Sequence, residues 1–262
     1  MTVLRHELRR GWRSTIVWAV SLAVFTVISL LLYPRVAHYS KFFNNIISQL
    51  GLLSQVFSLQ DMDVFEFMNY YGLESGNFLG LGGGMFAAIA GMSMVAKEEG
   101  RHTAEFLYPH PVGRAGVLLQ KYVALILQIA ILNVICVGAA LLGAALINSA
   151  VPQIAFRNFH VSLLMMNLQI GTLCFGLSCL RKRDNVVPGL GIVLFFYFLN
   201  LFININREAA TLKYVTPYYY IDMVRITNAG GPLWQFIGIG FAAATLVLVI
   251  GTVHYIRKDL SI

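Results

Sequence analysis

Residues 122–156 read YVALILQIAILNVICVGAALLGAALINSAVPQIAF, without a single aspartate, glutamate, lysine or arginine. An α-helix rises about 1.5 Å per residue, so about 20 apolar residues cross the roughly 30 Å hydrocarbon core of a bilayer. This run is long enough to do so, and it is far more apolar than the surface of a water-soluble protein. The stretch therefore predicts a membrane-spanning helix, which we place at residues 119–147.

The rest of the chain has the same character. Of its 262 residues, 58% are hydrophobic and 12% are charged. An average soluble domain is about half apolar and a quarter charged, so this composition excludes an ordinary soluble domain and a disordered chain. We expect an all-α polytopic membrane protein, a single transmembrane domain over residues 1–262, whose spans lie at 15–33, 78–96, 119–147, 161–180, 186–205 and 235–256.

Two other stretches are amphipathic. In residues 42–60, polar residues interrupt apolar residues that recur at helical spacing, a pattern typical of a helix that lies on the membrane rather than across it. In residues 2–14, apolar and basic residues alternate, and we expect a short amphipathic N-terminal helix at the membrane surface before the first span.

The basic residues predict the orientation of the chain. Thirteen of the 19 lysines and arginines lie in the two terminal segments, in the connection between spans two and three, and in the connection between spans four and five. Because cytoplasmic segments are enriched in lysine and arginine, we expect both termini in the cytoplasm. The net charge of +7 is explained by this bias, and no nucleic-acid partner is expected.

Motifs for catalysis and nucleotide binding are missing from the sequence. It contains no GxxxxGK[ST], no HExxH and no GxSxG, and its histidines and cysteines lack metal-ligand spacing. We therefore expect no catalytic residue and no metal site. Asp61 and Asp63 form a DxD pair, which can hold a cation beside a sugar nucleotide, although a solvated acidic loop is the expected role.

The segment between spans two and three carries the most information about function. It reads KEEGRHTAEFLYPHPVGR over residues 97–114. Thr103 can cap a helix, Glu105 lies in its first turn, and Pro109 ends it because proline disfavours helix in the residue before it. The pattern predicts a short cytoplasmic helix over 103–108, whose apolar residues and charged rim suit a groove in a soluble partner.

This segment resembles the coupling region of ABC-2 type transporter permeases, the membrane subunits of ABC exporters. The family pattern is an acidic pair, G-T-x-E-x-L-L, a proline, V-S-R and a lysine. This sequence differs by two residues between the glycine and the threonine, and by Gly113 in place of the usual serine. The resemblance assigns coupling to the ATPase to Glu98, Glu99, Gly100, Thr103, Glu105, Phe106, Leu107, Tyr108, Pro109 and Arg114.

The resemblance also has implications for partners and location. It implies a permease that is not itself an enzyme, with ATP and Mg²⁺ bound by two copies of a separate ABC ATP-binding subunit. It implies pairing with itself or with a second similar permease, in the plasma membrane of a bacterium or archaeon. The exported substrate is expected to be a peptide, a drug-like amphiphile or a lipid-like molecule. Residues 206–234 are expected to form short broken helices that dip into the outer leaflet, or else an ordinary outer loop.

Mildly polar residues within the spans can either pack helices together or line a substrate path. Packing is the expected role of any one of them. If a path is present, we expect it to be lined by Met85, Met92, Asn133, Asn167, Asn200 and Asn204.

Two functions of other classes stay open. One is a membrane-embedded enzyme that acts on lipid or lipid-linked substrates through Asp61, Asp63 or His38. The other is a non-transporting subunit of a membrane complex.

Overall fold

A computed structural model describes residues 2–39, 66–99, 113–181 and 185–257. These residues are almost entirely helical and contain no β-strand. Their α-helices are α1 (Thr2–His38), α2 (Phe67–Glu99), α3 (Arg114–Leu146), α4 (Gln153–Leu180), α5 (Val187–Ile205), α6 (Met223–Asn228) and α7 (Trp234–Arg257). All except α6 are long and apolar enough to cross a membrane. The predicted fold class, an all-α protein with six spans, is confirmed for the described residues.

The predicted spans coincide with these six helices, and the ends of α5 agree to within one residue. The other helices are longer than predicted, because an apolar run marks only the membrane-crossing part of a helix that continues into polar residues. The largest difference is in α1, which runs without a break through the segment expected to form a separate interfacial helix. The amphipathic stretch 42–60 and the DxD pair lie outside the described residues.

The centre of the bundle is formed by α2 and α4. They are the most buried of the six long helices, whereas α5 and α7 are the least buried. α4 packs along α2 on one side and along α7 on another, and α1 packs along α3. The faces of α2 that α4 leaves uncovered pack against α1, α3 and α5.

Glycines allow the central helices to approach closely. A Cβ atom on Gly91 of α2 would lie 2.7 Å from the carbonyl oxygen of Gly171 on α4. A Cβ on Gly176 of α4 would lie 2.7 Å from the backbone nitrogen of Leu248 on α7. At both crossings, backbone meets backbone, which is how small residues stabilise helix pairs in membranes.

The chain between α5 and α7 folds back into the bundle. It forms two 3₁₀ helices, Arg207–Tyr214 and Pro217–Ile221, followed by α6. The Tyr218 hydroxyl donates to the carbonyl oxygen of Gly80 at 3.2 Å. Gly80 lies about 20 Å along α2 from its first residue, by the helical rise per residue. The segment therefore forms the short broken helices implied by the resemblance, packed among the spans, and is not an ordinary outer loop.

Candidate functional site

A buried ion pair joins three helices at the end of the bundle that holds the N-terminus. Lys121 Nζ on α3 lies 2.7 Å from Glu7 Oε1 on α1, and the two side chains are only 1% and 7% exposed. The same ammonium donates to the carbonyl oxygen of Met94 on α2 at 2.9 Å. Because a charge buried without a partner is costly, this contact fixes the first turns of α1 against the end of α2 and the start of α3.

Two further contacts hold the same ends of α2 and α3. Ser178 Oγ on α4 donates to the carbonyl oxygen of Met92 at 2.7 Å and accepts from the Val95 amide at 3.2 Å. Arg114 Nη1, at the first residue of α3, donates to the carbonyl oxygen of Ile256 on α7 at 3.2 Å. Both helix ends are therefore attached to neighbouring helices by polar contacts, in addition to apolar packing.

These two helix ends flank the segment to which coupling was assigned. Glu98 and Glu99 form the last turn of α2, and Arg114 begins α3. The other residues of that assignment lie outside the described residues: Gly100, Thr103, Glu105, Phe106, Leu107, Tyr108 and Pro109.

Two of the expected path residues meet in the interior of the bundle. Asn167 Nδ2 on α4 donates to Asn133 Oδ1 on α3 at 3.4 Å, and Asn133 Nδ2 donates to the carbonyl oxygen of Ile129 at 2.8 Å. They are 1% and 5% exposed, respectively. A Cβ on Gly83 of α2 would lie 2.9 Å from the Asn167 amide, so α2 covers this pair.

Two other expected path residues bind an arginine at the opposite end of the bundle. Arg225 of α6 donates through Nη1 to Asn200 Oδ1 at 3.4 Å and through Nη2 to Asn204 Oδ1. Its Nη1 also donates to the Tyr219 carbonyl oxygen at 3.1 Å, and its guanidinium lies 3.8 Å from the centre of the Tyr219 ring. With Asp222 Oδ2 at 3.9 Å, these contacts hold the C-terminal end of α5 against α6.

Buried hydroxyls of the second 3₁₀ helix reach deep into the bundle. The Tyr220 hydroxyl donates to Gln169 Oε1 on α4 at 2.6 Å. A second buried hydroxyl pair, the Tyr71 hydroxyl and His160 Nε2, is 3.0 Å apart and joins α2 to α4.

A family model described as "ABC-2 family transporter protein" matches residues 1–260 of the chain. The chain belongs to the ABC-2 transporter family. No curated protein is significantly similar to it. Membership identifies a multi-pass membrane protein that is the permease subunit of an ABC transporter, and it implies association with ABC ATP-binding subunits. The resemblance found in residues 97–114 therefore extends over nearly the whole sequence.

In this ABC-2 permease the expected path residues lie in four separate places. Met85 lies on the partly exposed face of α2, whereas Met92 is 1% exposed and contacts Gly189 at the start of α5. Asn133 and Asn167 are covered by α2, and the asparagines of α5 bind Arg225. Asn200 and Asn204 line one small cavity of about 60 Å³, which the other four residues do not line.

Several polar contacts were not predicted from the sequence. Glu7 is the only acidic residue in the basic stretch 2–14, a signal that could have indicated a buried cationic partner. For Arg225, nothing in its neighbourhood in the sequence points to the asparagines about 20 residues earlier. Such pairs depend on which helices pack together.

Of the residues named for the enzyme alternative, only His38 lies in the described part of the chain. His38 is at the end of α1, where its ring packs edge-on against Tyr39. Asp61 and Asp63 lie outside the described residues. Residues 2–39, 66–99, 113–181 and 185–257 contain no cluster of three histidine, cysteine, aspartate or glutamate side chains that could hold a metal ion.

Proposed function

We propose that this chain is the transmembrane half of an ATP-driven exporter in the plasma membrane of a bacterium or archaeon, with both termini in the cytoplasm. It pairs with itself or with a similar permease, and the substrate crosses between the two. Two ATP-binding subunits bind ATP and Mg²⁺. One of them docks on the coupling segment, residues 97–114, of each permease. The chain itself, one transmembrane domain over residues 1–262, catalyses no reaction.

The observation that carries this proposal is the contact between the two helix ends next to the coupling segment. Lys121, two turns into α3, donates to the carbonyl oxygen of Met94, near the end of α2. Because the coupling segment connects these ends, a force applied to it acts on both helices together. Protein interiors are close-packed and stiff, so the displacement passes into the spans instead of being absorbed locally.

Further contacts define which spans follow such a displacement. Glu7 connects α1 to the same point, and Ser178 connects α4. α5 has no comparable polar contact at this end in the described part of the chain, and it is the least buried of the six long helices. We propose that α1, α2, α3 and α4 move as a group relative to α5 when the ATP-binding subunits close.

We propose a peptide, a drug-like amphiphile or a lipid-like molecule as the substrate. The path residues named above carry amide and thioether groups among apolar neighbours, which suits an amphiphile better than a small ion. A selective ion path needs rings of carbonyl or charged groups. Because α2 covers Asn133 and Asn167, these two contribute to a path only when α2 shifts away from them.

Reconstitution with an ATP-binding subunit tests the proposal. The chain is co-expressed with a candidate ABC ATP-binding protein, purified in nanodiscs, and examined for subunit stoichiometry and ATPase rate. We expect a complex with two ATP-binding subunits. Phe106→Asp places an unpaired charge in the docking groove, so we expect it to abolish binding or to uncouple ATP hydrolysis from transport.

Leu212→Asp is the matched control for this experiment. It introduces the same charge at an exposed apolar residue of the first 3₁₀ helix, at the other end of the bundle. We expect Leu212→Asp to leave the complex and its ATPase rate unchanged. Transport that survives Phe106→Asp unaltered would show that the coupling assignment is wrong. Turnover of a lipid-linked substrate without any ATPase would favour the enzyme alternative.

A further inference from the structure

A cavity of about 260 Å³ lies between α1, α2, α3 and the start of α5, at the end of the bundle that holds the N-terminus. Its volume is just below the roughly 300–1,000 Å³ that small-molecule sites occupy. The cavity opens beside the Glu7–Lys121 ion pair, and it includes none of the residues assigned to the substrate path or to coupling.

The lining of this cavity changes from polar to apolar along the helix axes. Glu7, Arg10 and Ser93 line the part nearest the bundle end, and Phe86 and Ile89 line the deeper part. Phe86 is seven residues before Ser93 on α2, which places it about 10 Å deeper. A polar mouth above an apolar floor has the same order as the headgroup and acyl chains of a lipid in one leaflet.

The mouth of the cavity carries a net positive charge. The Glu7 carboxylate is neutralised by Lys121 at 2.7 Å. Arg10 is exposed and has no ion-pair partner among the described residues. Ser14 and Gln128 add a hydroxyl and an amide to the lining. One N–H of that amide donates to the Glu7 carbonyl oxygen at 3.3 Å, which leaves the other for a ligand. A guanidinium with neighbouring N–H and O–H donors is the arrangement that binds phosphate oxygens through charge-assisted hydrogen bonds.

An exposed apolar face of α1 adjoins the cavity. Val17, Val24 and Ile28 are all more than half exposed and follow Arg10 and Ser14 on the same face of the helix at seven-residue and four-residue spacings. The cavity is too small for two acyl chains, so chains whose headgroup it held would run along this apolar face.

We propose that the cavity is a binding site for the phosphate headgroup of an anionic phospholipid, with Arg10 contacting the phosphate and the acyl chains lying along α1. The bound lipid holds α1 beside α2 and the start of α5, and its binding does not depend on the proposed ATPase coupling. The same end of the bundle is the one that the basic residues place in the cytoplasm, where anionic lipids are concentrated.

Native mass spectrometry of the full chain, purified in detergent and stripped of lipid, tests the site. The probes are phosphatidylglycerol, phosphatidylcholine and inorganic phosphate. Both lipids carry a phosphate, but phosphatidylcholine also carries a choline cation, which would lie near the Arg10 guanidinium. We therefore expect phosphatidylglycerol, with its net negative charge, to bind up to about fivefold more tightly than phosphatidylcholine, within the range of one exposed charge interaction. Arg10→Gln is expected to remove that preference.

Arg9→Gln is the matched control, since Arg9 is exposed, adjacent and not part of the lining. It should keep the preference for phosphatidylglycerol. Equal loss in Arg9→Gln and Arg10→Gln would indicate diffuse charge attraction and overturn the site. Displacement of the lipid by inorganic phosphate, with the same dependence on Arg10, would show that the ligand is a soluble phosphate and overturn the lipid assignment.

A second pair of variants tests the cavity by filling it. Ser93→Met places a longer side chain inside the cavity, and the Ser93 hydroxyl bonds only within its own helix, to the Ala90 carbonyl. Thr252→Met makes a similar change on α7, at the same end of the bundle but outside the cavity. We expect only Ser93→Met to weaken phosphatidylglycerol binding. Unchanged binding in Ser93→Met would contradict the proposal.

Discussion

Lys121 and Glu7 form a buried ion pair, with Nζ and Oε1 2.7 Å apart, although the residues are 114 positions apart in the sequence. The pair attaches the N-terminal turns of α1, which continue into the first span without a break, to α3. Glu7 is the only acidic residue in that basic stretch, and its carboxylate binds Lys121 on α3. The same lysine donates to Met94, so the pair also links α1 to the end of α2 next to the coupling segment.

Lys121→Met should strongly destabilise the protein. It leaves the Glu7 carboxylate buried without a cation, and breaking such a pair typically costs about 3–5 kcal/mol. We expect a clear fall in the apparent Tm of the detergent-purified chain, measured by the loss of monodisperse protein after heating.

The double variant Glu7→Gln with Lys121→Met separates loss of charge pairing from loss of packing. With both charges gone, most of the stability should return, because no charge is left unpaired. Arg9→Gln, an exposed charge on the same stretch, should leave the apparent Tm unchanged. A double variant that is as unstable as the sum of its single changes would contradict the role of the pair.

Gly176→Ala should loosen the contact between α4 and α7. The new Cβ would lie 2.7 Å from the Leu248 backbone nitrogen, so the helices must separate. Overpacking of this kind costs about 1–3 kcal/mol, and the apparent Tm should fall accordingly. Gly238→Ala on α7 is the control, because its Cβ would meet nothing within 4 Å and alanine favours helix. Equal effects of the two changes would refute the close crossing.

Arg225→Gln should release the chain between α5 and α7. Hydrogen bonds to a charged group contribute about 1.5–3 kcal/mol, so backbone amides over 217–228 should exchange hydrogen at least about tenfold faster. Hydrogen–deuterium exchange with mass spectrometry measures this. Lys213→Gln removes a charge from the same segment, where the ammonium lies 5.4 Å from the Tyr214 ring, and should leave the rate nearly unchanged. Slow exchange in both variants would show that Arg225 does not hold the segment.

Tyr220→Phe should destabilise the protein through one lost hydrogen bond. It removes the donor to Gln169 Oε1 and leaves that oxygen buried without its partner, at a cost of about 1–3 kcal/mol. Tyr219→Phe is the neighbouring control, because its ring, not its hydroxyl, contacts Arg225. The apparent Tm should fall only in Tyr220→Phe. An equal fall of the apparent Tm in both variants would show that the hydrogen bond from Tyr220 to Gln169 does not specifically stabilise the protein.

The sequence alone was enough to predict the spans. Residues 186–205 were placed within one residue of α5 because an uncharged run, ended by polar Asn206, is a local property of the chain. At α1 the expected break between an N-terminal helix and the first span is absent, because residues 2–38 form one helix. The sequence also did not indicate that Glu7 has a buried partner, since that partner lies 114 positions away.

For the expected path residues too, the sequence predicted the position in a span but not the partner. Asn200 and Asn204 were identified as polar residues within a span, but their partner, Arg225, comes from the segment that folds back between α5 and α7. Asn133 and Asn167 were identified as polar residues within spans, but only the packing of α2 over α3 and α4 buries them together.

The sequence by itself determined that this protein is a six-span membrane protein, and a pattern in residues 97–114 pointed to its family. The tertiary structure decided which polar groups meet: Lys121 with Glu7, Arg225 with the asparagines of α5, and Tyr220 with Gln169. The physical reason is that transfer of a helix into the bilayer depends on the apolar surface of that helix alone. A buried polar group, in contrast, is stabilised by a partner on another helix, whose position depends on how all the helices pack.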